Sequence, residues 1–140
     1  KVALFNDTFV EYNEPKIGMA ATIILERAGY EVVLVENTVC CGRPMISKGF
    51  LDQARDMAQR NVAALTPLAE DGVPIIGIEP SCVSALCDDY LDLVDDPRTR
   101  LVADHVVMLE DFLAREVEIG RLDLQFTGTA RNILVHGSRA

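Results

Sequence analysis

The chain has 140 residues, of which 49% are hydrophobic and 25% are charged. A length of this order favours one domain, and the composition is that of a globular protein rather than a disordered or disulfide-dense chain. The 13 basic and 22 acidic residues give a net charge of −9, which disfavours nucleic acid and anionic membranes as partners. No apolar run reaches the roughly 20 residues that span a bilayer, so no transmembrane segment is predicted.

The first part of the chain alternates a strand, a helix and a strand. Residues 2–5 form a short apolar run of strand type. Apolar residues then recur at helical spacing over 17–28, between Asn13 as the predicted N-cap and Gly29 as the predicted C-cap. Residues 31–35 predict a second strand, whose consecutive apolar side chains indicate burial on both faces.

The same alternation continues to the end of the chain. The further predicted elements are a loop at 37–48, a helix at 50–69, a strand at 74–78, a helix from 81, a break at 95–97, a helix over 106–117 and a strand at 132–135. Strands that alternate with helices predict an α/β fold. We expect an open, mostly parallel four-stranded sheet with helices on both faces.

Residues with reactive or metal-binding side chains follow each predicted strand. Cys40 and Cys41 follow the second strand, Cys82 follows the third, and His136 ends the fourth. Because the carboxyl ends of parallel strands meet at the same edge of a sheet, we expect these four side chains to lie close together. Thiolates grouped in this way suit zinc or an iron–sulfur cluster. Asp7, after the first strand, faces the same edge or simply caps a turn.

The four cysteines differ in what their surroundings favour. Two adjacent thiolates cannot chelate one metal ion without strain, whereas Cys40 and Cys41 can bind neighbouring irons of a cluster; the alternative is two buried thiols in a loop. Cys82 lies at a predicted helix N-terminus, which favours the thiolate. Cys87 is rotated by about 140° from Cys82 on a helix, and we expect it to be structural.

The chain starts inside a predicted strand at Lys1, without an initiator methionine or a signal peptide. We therefore expect a fragment of a longer cytoplasmic protein, in which thiols stay reduced and serve as ligands or redox groups.

Three motifs together resemble a known family. Cys-Cys-Gly-Arg-Pro at 40–44, Glu-Pro-Ser-Cys at 79–82 and the strand that ends in His-Gly at 136–137 are similar to the CCG, or cysteine-rich, domain of iron–sulfur oxidoreductases. This domain occurs in heterodisulfide reductase and in anaerobic glycerol-3-phosphate dehydrogenase. The opening Asn-Asp-Thr-Phe at 6–9 is most similar to the C-terminal iron–sulfur region of FAD-linked D-lactate dehydrogenase and glycolate oxidase. The resemblance covers nearly the whole chain and implies a single domain at 1–140, the first of two tandem units.

The resemblance also implies cluster ligands. Cys40, Cys41 and Cys82 match ligand positions of the family, whereas many members carry a further cysteine where this chain has Asp7 or Thr8. Three matching cysteines are fewer than the four that a regular [4Fe–4S] cluster uses. We therefore expect the isolated fragment to be inactive and metal-free or poorly loaded, and the full-length parent to hold the cluster.

The resemblance further implies the setting of the parent protein. FAD on another domain would oxidise a small 2-hydroxy acid, and electrons would pass through ferredoxin-like domains and this domain to a quinone or another acceptor. The parent would be cytoplasmic or peripheral at the inner face of the membrane.

Two other functions fit the same residues. Cys40, Cys41, Cys82 and His136 can form a zinc site of three cysteines and one histidine, in a structural or interaction module without redox chemistry, which can also be metal-free. A thiol–disulfide enzyme would use Cys82 as its nucleophile, although the chain has no C-x-x-C motif. The absence of G-x-G-x-x-G after the first strand disfavours a dinucleotide site, despite the Rossmann-like layering.

Overall fold

The computed structural model of the protein describes residues 1–123, 128–130 and 132–134. The strands are β1 (Val2–Leu4), β2 (Val32–Leu34), β3 (Ile75–Gly77) and β4 (Val106–Met108). The helices are α1 (Thr8–Tyr12), α2 (Pro15–Arg27), α3 (Arg43–Ser47), α4 (Leu51–Glu70), α5 (Pro80–Ser84), α6 (Tyr90–Leu93), α7 (Pro97–His105) and α8 (Leu109–Glu118). A π-helical turn at Ala85–Asp89 joins α5 to α6. Within the described residues, no helix is both long and apolar enough to cross a bilayer.

The four strands form one open sheet in which every neighbouring pair is parallel, as the sequence predicted. Their order is β2-β1-β3-β4. The chain leaves β1 for β2 on one side of the sheet and then crosses to β3 on the other side of β1. The topology therefore switches between β1 and β3, and ligands of open α/β proteins bind beyond the carboxyl ends of the strands at such a point.

Helices cover both faces of this sheet, because successive side chains of a strand point to opposite faces. Ala3 and Ile75 are buried in a core that lies against α4, the π-helical turn and α7. On the other face, Leu4 packs with Leu25 of α2 and Phe112 of α8. The predicted arrangement of helices on both faces is confirmed.

The long helix α4 forms where the apolar periodicity predicted it. Ala54, Ala58, Val62 and Leu65 recur at helical spacing and are buried against the sheet. Pro67 lies inside the helix, which nevertheless continues to Glu70. The helix brings its buried face beside the loop that holds Cys40 and Cys41.

The fourth strand is not where the sequence predicted it. Residues 106–108 form β4, although they were predicted to begin a helix, and α8 starts only at Leu109. Residues 132–134, predicted as a strand, have no strand structure, and residue 135 lies outside the described residues. The three apolar residues at 106–108 lie directly between two helices and are too few to show the period of a strand. The longer apolar run at 132–135 resembles a strand in sequence.

The second strand is less buried than predicted. Leu34 is 62% exposed, and Val32 and Val33 are half-buried. The strand β2 is at the edge of the sheet formed by the described residues, and the face with Leu34 is open, so burial on both faces was a wrong prediction.

Two helices of five residues each lie where the sequence predicted a turn and a loop. The helix α1 begins at Thr8, directly after β1, and α3 lies inside the predicted loop at 37–48. In addition, Glu14 rather than Asn13 is the N-cap of α2. Helices of this length show too few turns to reveal an apolar period.

Candidate functional site

A cavity of about 570 Å³ opens beyond the carboxyl ends of β1 and β3, at the switch point of the sheet. Its walls come from α1, the loop before α3, α3 itself and the start of α5. The residues that line it are Asp7, Thr8, Phe9, Asn13, Cys40, Cys41, Arg43, Pro44, Ser47, Glu79, Ser81 and Cys82. Three of the four cysteines of the chain therefore lie at one cavity.

The loop with Cys40 and Cys41 ends at Gly42, whose backbone conformation favours glycine. Gly42 has a φ of 80°, in the left-handed region that favours glycine, and it is the N-cap of α3. A Cβ at this position would also lie 3.6 Å from the Ala54 backbone. The backbone therefore turns sharply after Cys41 and lies close against α4.

Cys82 is positioned by the contact between α5 and β3. Gly77 ends β3, and a Cβ there would lie 2.2 Å from Cγ2 of Val83, so only glycine allows α5 to pack this closely. The Glu79 side chain caps α5 by accepting a hydrogen bond from the Cys82 amide at 2.8 Å. Together these contacts fix Cys82 opposite the cysteine loop.

The sulfurs of Cys41 and Cys82 lie 3.0 Å apart, and both side chains are buried. The hydrogen bond from the Cys82 thiol lowers the pKa of Cys41 to about 7, although burial acts in the opposite direction. The same hydrogen bond raises the pKa of Cys82, and burial raises it further. Cys41 is therefore the thiolate of the pair, and Cys82 is the donor.

The charge state of Cys82 differs from the prediction. We expected the N-terminus of a helix to favour the Cys82 thiolate, but its pKa is raised. The hydrogen bond to Cys41 and burial raise the pKa of Cys82, and the negative charges of Cys41, Asp7 and Glu79 raise it further. These effects outweigh the positive potential of the helix N-terminus, whose Cys82 amide donates to the Glu79 carboxylate.

Asp7 places a carboxylate at the same cavity. Its Oδ1 caps α1 by accepting hydrogen bonds from the amides of Phe9 and Val10, at 2.9 and 3.0 Å. Its Oδ2 is buried and has no hydrogen-bond partner within the described part of the chain. An unpartnered buried carboxylate oxygen is costly unless something else satisfies it.

Two buried polar side chains, which the sequence analysis did not single out, hold the cysteine loop from behind. Asn61 of α4 donates hydrogen bonds to the Cys40 carbonyl and to the Tyr90 hydroxyl, and accepts one from the Val39 amide. Tyr90 in turn donates to the Cys41 carbonyl at 2.9 Å. The available signal was that Asn61 occupies a core position on the apolar face of α4, where a polar residue needs partners.

The other predicted site residues lie elsewhere or outside the described residues. Cys87 is half-buried, with its sulfur 3.8 Å from the carbonyl oxygens of Ala103 and Val106, so it is apart from the cavity as expected. His105, the histidine of the described residues, ends α7, and its Nδ1 lies 2.8 Å from the Leu101 carbonyl oxygen. His136 lies outside the described residues.

The donor set of the cavity has the chemistry of a metal centre but not its full geometry. Thiolates suit zinc and iron–sulfur clusters, and Asp7 adds an oxygen. Among the described residues, no three histidine, cysteine, aspartate or glutamate side chains are arranged to hold a metal ion. Cys41 and Cys82 are in contact, and Cys40 lines the same cavity.

Comparison with known families agrees with this thiol-rich site. Residues 2–87 match the family described as cysteine-rich domain, CCG. The chain belongs to the CCG family. The predicted membership is thereby confirmed, and the match includes Cys40, Cys41 and Cys82. No solved structure gives a significant match to the chain.

The curated relatives of this CCG domain include components of oxidoreductases. One subunit of the anaerobic glycerol-3-phosphate dehydrogenase of Escherichia coli (strain K12) is 33% identical over 122 residues, which are 86% of this chain and 31% of the relative. One subunit of the fumarate reductase (CoM/CoB) of Methanothermobacter marburgensis is 34% identical over 118 residues, 84% of this chain and 22% of the relative. Lactate utilization protein A of Bacillus cytotoxicus is 28% identical over 134 residues, 93% of this chain and 54% of the relative.

The CCG domain thus spans between 22% and 54% of the length of these relatives. Their names differ in substrate: glycerol-3-phosphate, fumarate and lactate. The dehydrogenase and the reductase are both oxidoreductases, but their names give different substrates.

Proposed function

We propose that this CCG domain transfers electrons in an oxidoreductase by holding an iron–sulfur cluster between Cys40, Cys41 and Cys82. The main support is that these three thiols line one cavity at the switch point of the sheet. They do so although Cys41 and Cys82 are 41 residues apart in the sequence. The names of the relatives support the same class of chemistry. A bound cluster would accept one electron and pass it on.

The residues of the chain have separate roles in this site. Cys41, whose pKa is lowered to about 7, is available as a thiolate ligand near neutral pH. Cys82 loses its proton on ligation, because a metal-bound thiol is deprotonated. The unpartnered Oδ2 of Asp7 is suited to be an oxygen ligand at a position that the three thiols leave open. His136 is a further candidate ligand.

The remaining parts of the reaction would lie in the rest of a longer protein or in its partners. In this proposal FAD on another domain oxidises a small 2-hydroxy acid, for which the name of lactate utilization protein A offers support. Ferredoxin-like domains deliver the electrons to this domain, and a quinone or another acceptor receives them. The proposed location is the cytoplasm or the inner face of the membrane.

Anaerobic reconstitution of the protein from its full reading frame tests the proposed ligands. The expected result is incorporation of iron and sulfide, visible absorption and a reducible paramagnetic signal. Cys41→Ser and Cys82→Ser should each lower the iron bound by this domain at least several-fold, because each removes a ligand. Cys87→Ser is the matched control and should load like the unsubstituted protein, since Cys87 lies apart from the cavity.

Three results would contradict the proposed cluster. Full iron loading of the double variant Cys41→Ser, Cys82→Ser would show that these thiols are not ligands. Tight binding of zinc without iron, in a colourless protein, would favour the structural module with His136 as the fourth ligand. A folded full-length protein that takes up neither metal would favour a metal-free module.

One observation favours thiol–disulfide exchange as a second candidate function, namely the 3.0 Å distance between the Cys41 and Cys82 sulfurs. In that reaction the two thiols lose two electrons and two protons to a substrate disulfide, which becomes two thiols. The lowered pKa makes Cys41, rather than the predicted Cys82, the attacking thiolate. Reduction of a peptide disulfide by the metal-free chain, lost in Cys41→Ser, would support this function.

A further inference from the structure

The loop that precedes α3 is held by side chains rather than by secondary structure. Residues 35–41 belong to no helix or strand, yet Cys41 is buried. The loop therefore needs partners for its backbone polar groups, because unpaired buried groups are costly. Asn61 and Tyr90 supply such partners to three consecutive residues, from Val39 to Cys41.

Each polar atom of these two side chains has at least one hydrogen-bond partner. The Asn61 amide donates two hydrogen bonds and accepts one, and the Tyr90 hydroxyl accepts one and donates one. Both residues are 0% exposed. A core needs neither an amide nor a hydroxyl for its packing, and a fully satisfied buried network specifies one arrangement of the groups that it joins.

The π-helical turn places Tyr90 on the same side as Cys82. Eight residues along a regular α-helix correspond to a rotation of about 80°, which would turn the two side chains apart. A π-helical insertion of one residue reduces this angle to about 20°. Cys82 and Tyr90 therefore both face Cys41, the first at its sulfur and the second at its carbonyl oxygen.

We propose that Asn61 and Tyr90 are positioning residues that hold the Cys41 thiol against Cys82 and thereby prepare the site for its cluster. Their role in preparing the cluster site rests on the proposed function. Within the described part of the chain, their hydrogen bonds join the backbone of the cysteine loop and each other, and none involves a sulfur. Without them the loop keeps its sequence and its thiols but loses the fixed placement of Cys41. Metal binding then requires the loop to be ordered first, which lowers the affinity.

The first test measures the placement of the thiols without any metal. The reduced chain is titrated with oxidised glutathione, which takes two electrons and two protons from Cys41 and Cys82 and becomes two glutathione thiols. The amount of the 41–82 disulfide at each glutathione ratio is read by peptide mass spectrometry. Tyr90→Phe and Asn61→Leu should lower its equilibrium constant by about threefold to tenfold each, the range that corresponds to a lost hydrogen bond.

Two control variants remove comparable hydrogen bonds away from the loop. Tyr30→Phe removes a hydroxyl that lies 2.5 Å from Glu116, on the other face of the sheet. Thr66→Val removes a buried hydroxyl that donates to the Val62 carbonyl within α4. Both should leave the disulfide equilibrium unchanged, although each lowers the stability of the fold.

The second test measures metal affinity, with Co²⁺ as the probe and thiolate-to-cobalt absorption as the signal. Tyr90→Phe should bind Co²⁺ several-fold more weakly than the unsubstituted chain, with Tyr30→Phe as the control. If Asn61→Leu fails to fold, Tyr90→Phe still tests the positioning role, because it keeps the buried ring and removes only the hydroxyl.

The possible outcomes separate this inference from the proposed function. If folded Tyr90→Phe equals the unsubstituted chain in both the disulfide equilibrium and cobalt affinity, the positioning role is wrong. If the disulfide equilibrium falls but the unsubstituted full-length protein takes up no iron, the positioning role holds for the thiol pair and the proposed cluster is wrong. A loss in both measurements supports the positioning role.

Discussion

At the scale of single residues, the central feature is the unequal pair of thiols. Cys41 and Cys82 are in contact, and one hydrogen bond lowers the pKa of the first and raises that of the second. The sequence predicted that both would lie at one edge of the sheet. It predicted the thiolate at Cys82 rather than at Cys41. The direction depends on which sulfur donates the hydrogen bond, and the sequence does not contain that contact.

The pH dependence of stability should show this inequality. Between about pH 7 and about pH 9 the folded chain has already released the Cys41 proton that the unfolded chain still holds. Stability therefore rises with pH over this range, by up to about 3 kcal/mol. At higher pH the raised pKa values of Cys82 and Cys87 reverse the slope, because the unfolded chain then binds fewer protons.

Urea unfolding of the reduced, metal-free chain at several pH values measures this dependence. The variant Cys41→Ser is the control, and it should lose the rise between about pH 7 and about pH 9. A stability that is flat or falling over that range in the unsubstituted chain would show that Cys41 does not ionise early.

Substitution of Asp7 should weaken iron loading without destabilising the metal-free chain. Asp7→Asn keeps an oxygen that can cap α1 but removes the buried carboxylate that has no partner for Oδ2 among the described residues. We expect the metal-free chain to be unchanged or more stable by about 1 kcal/mol, whereas iron loading of the full-length protein falls. Urea unfolding and iron analysis of the same variant measure the two effects. Unchanged iron loading would exclude Asp7 as a ligand.

At the scale of elements, the contact between α5 and β3 decides where Cys82 lies. In Gly77→Ala the new methyl group would overlap Cγ2 of Val83, which lies 2.2 Å from the Cβ position. Valine is stiff at χ1, so α5 has to shift and carry Cys82 away from Cys41. We expect a loss of about 2 kcal/mol in the free energy of unfolding, as in other overpacked cores, and a lower yield of the 41–82 disulfide.

A double variant provides the control for this change. Val83→Ala removes the overlapping group, so Gly77→Ala combined with Val83→Ala should recover most of the disulfide yield. Additive effects of the two substitutions would show that they do not act through this contact.

The elements that could be predicted from the sequence are those with a strong period. Apolar residues repeat over five turns of α4, and short apolar runs between turn residues mark β1 and β3. The strand β4 was missed because Val106–Met108 continues the apolar pattern of its neighbouring helices. The roles of Asn61 and Tyr90 depend on contacts between α4, α6 and the cysteine loop, which no local pattern contains.

At the scale of the whole molecule, the described residues form two apolar cores, built mostly from side chains that do not ligate metals. One lies on each face of the sheet, and residues of both are fully buried. A domain of this size buries roughly two thirds of its unfolded surface. Cys41 and Cys82 are buried members of one core, most of whose other residues are aliphatic.

We therefore expect a metal chelator to leave the chain folded. Circular dichroism of the reduced chain should show the same helical signal and the same midpoint of thermal unfolding with and without chelator, to within a few degrees. Loss of the helical signal on chelation would instead indicate a domain that folds only around its metal, as zinc fingers do.

An anomalous difference map at the iron absorption edge tests most directly whether Cys40, Cys41 and Cys82 hold the cluster. The crystals would contain the anaerobically reconstituted protein from the full reading frame. The expected result is iron density within the cavity between α1, the cysteine loop and α5, bonded to the Cys41 and Cys82 sulfurs. Iron density confined to other parts of the protein, with these two sulfurs still in contact and unligated, would contradict the proposed function.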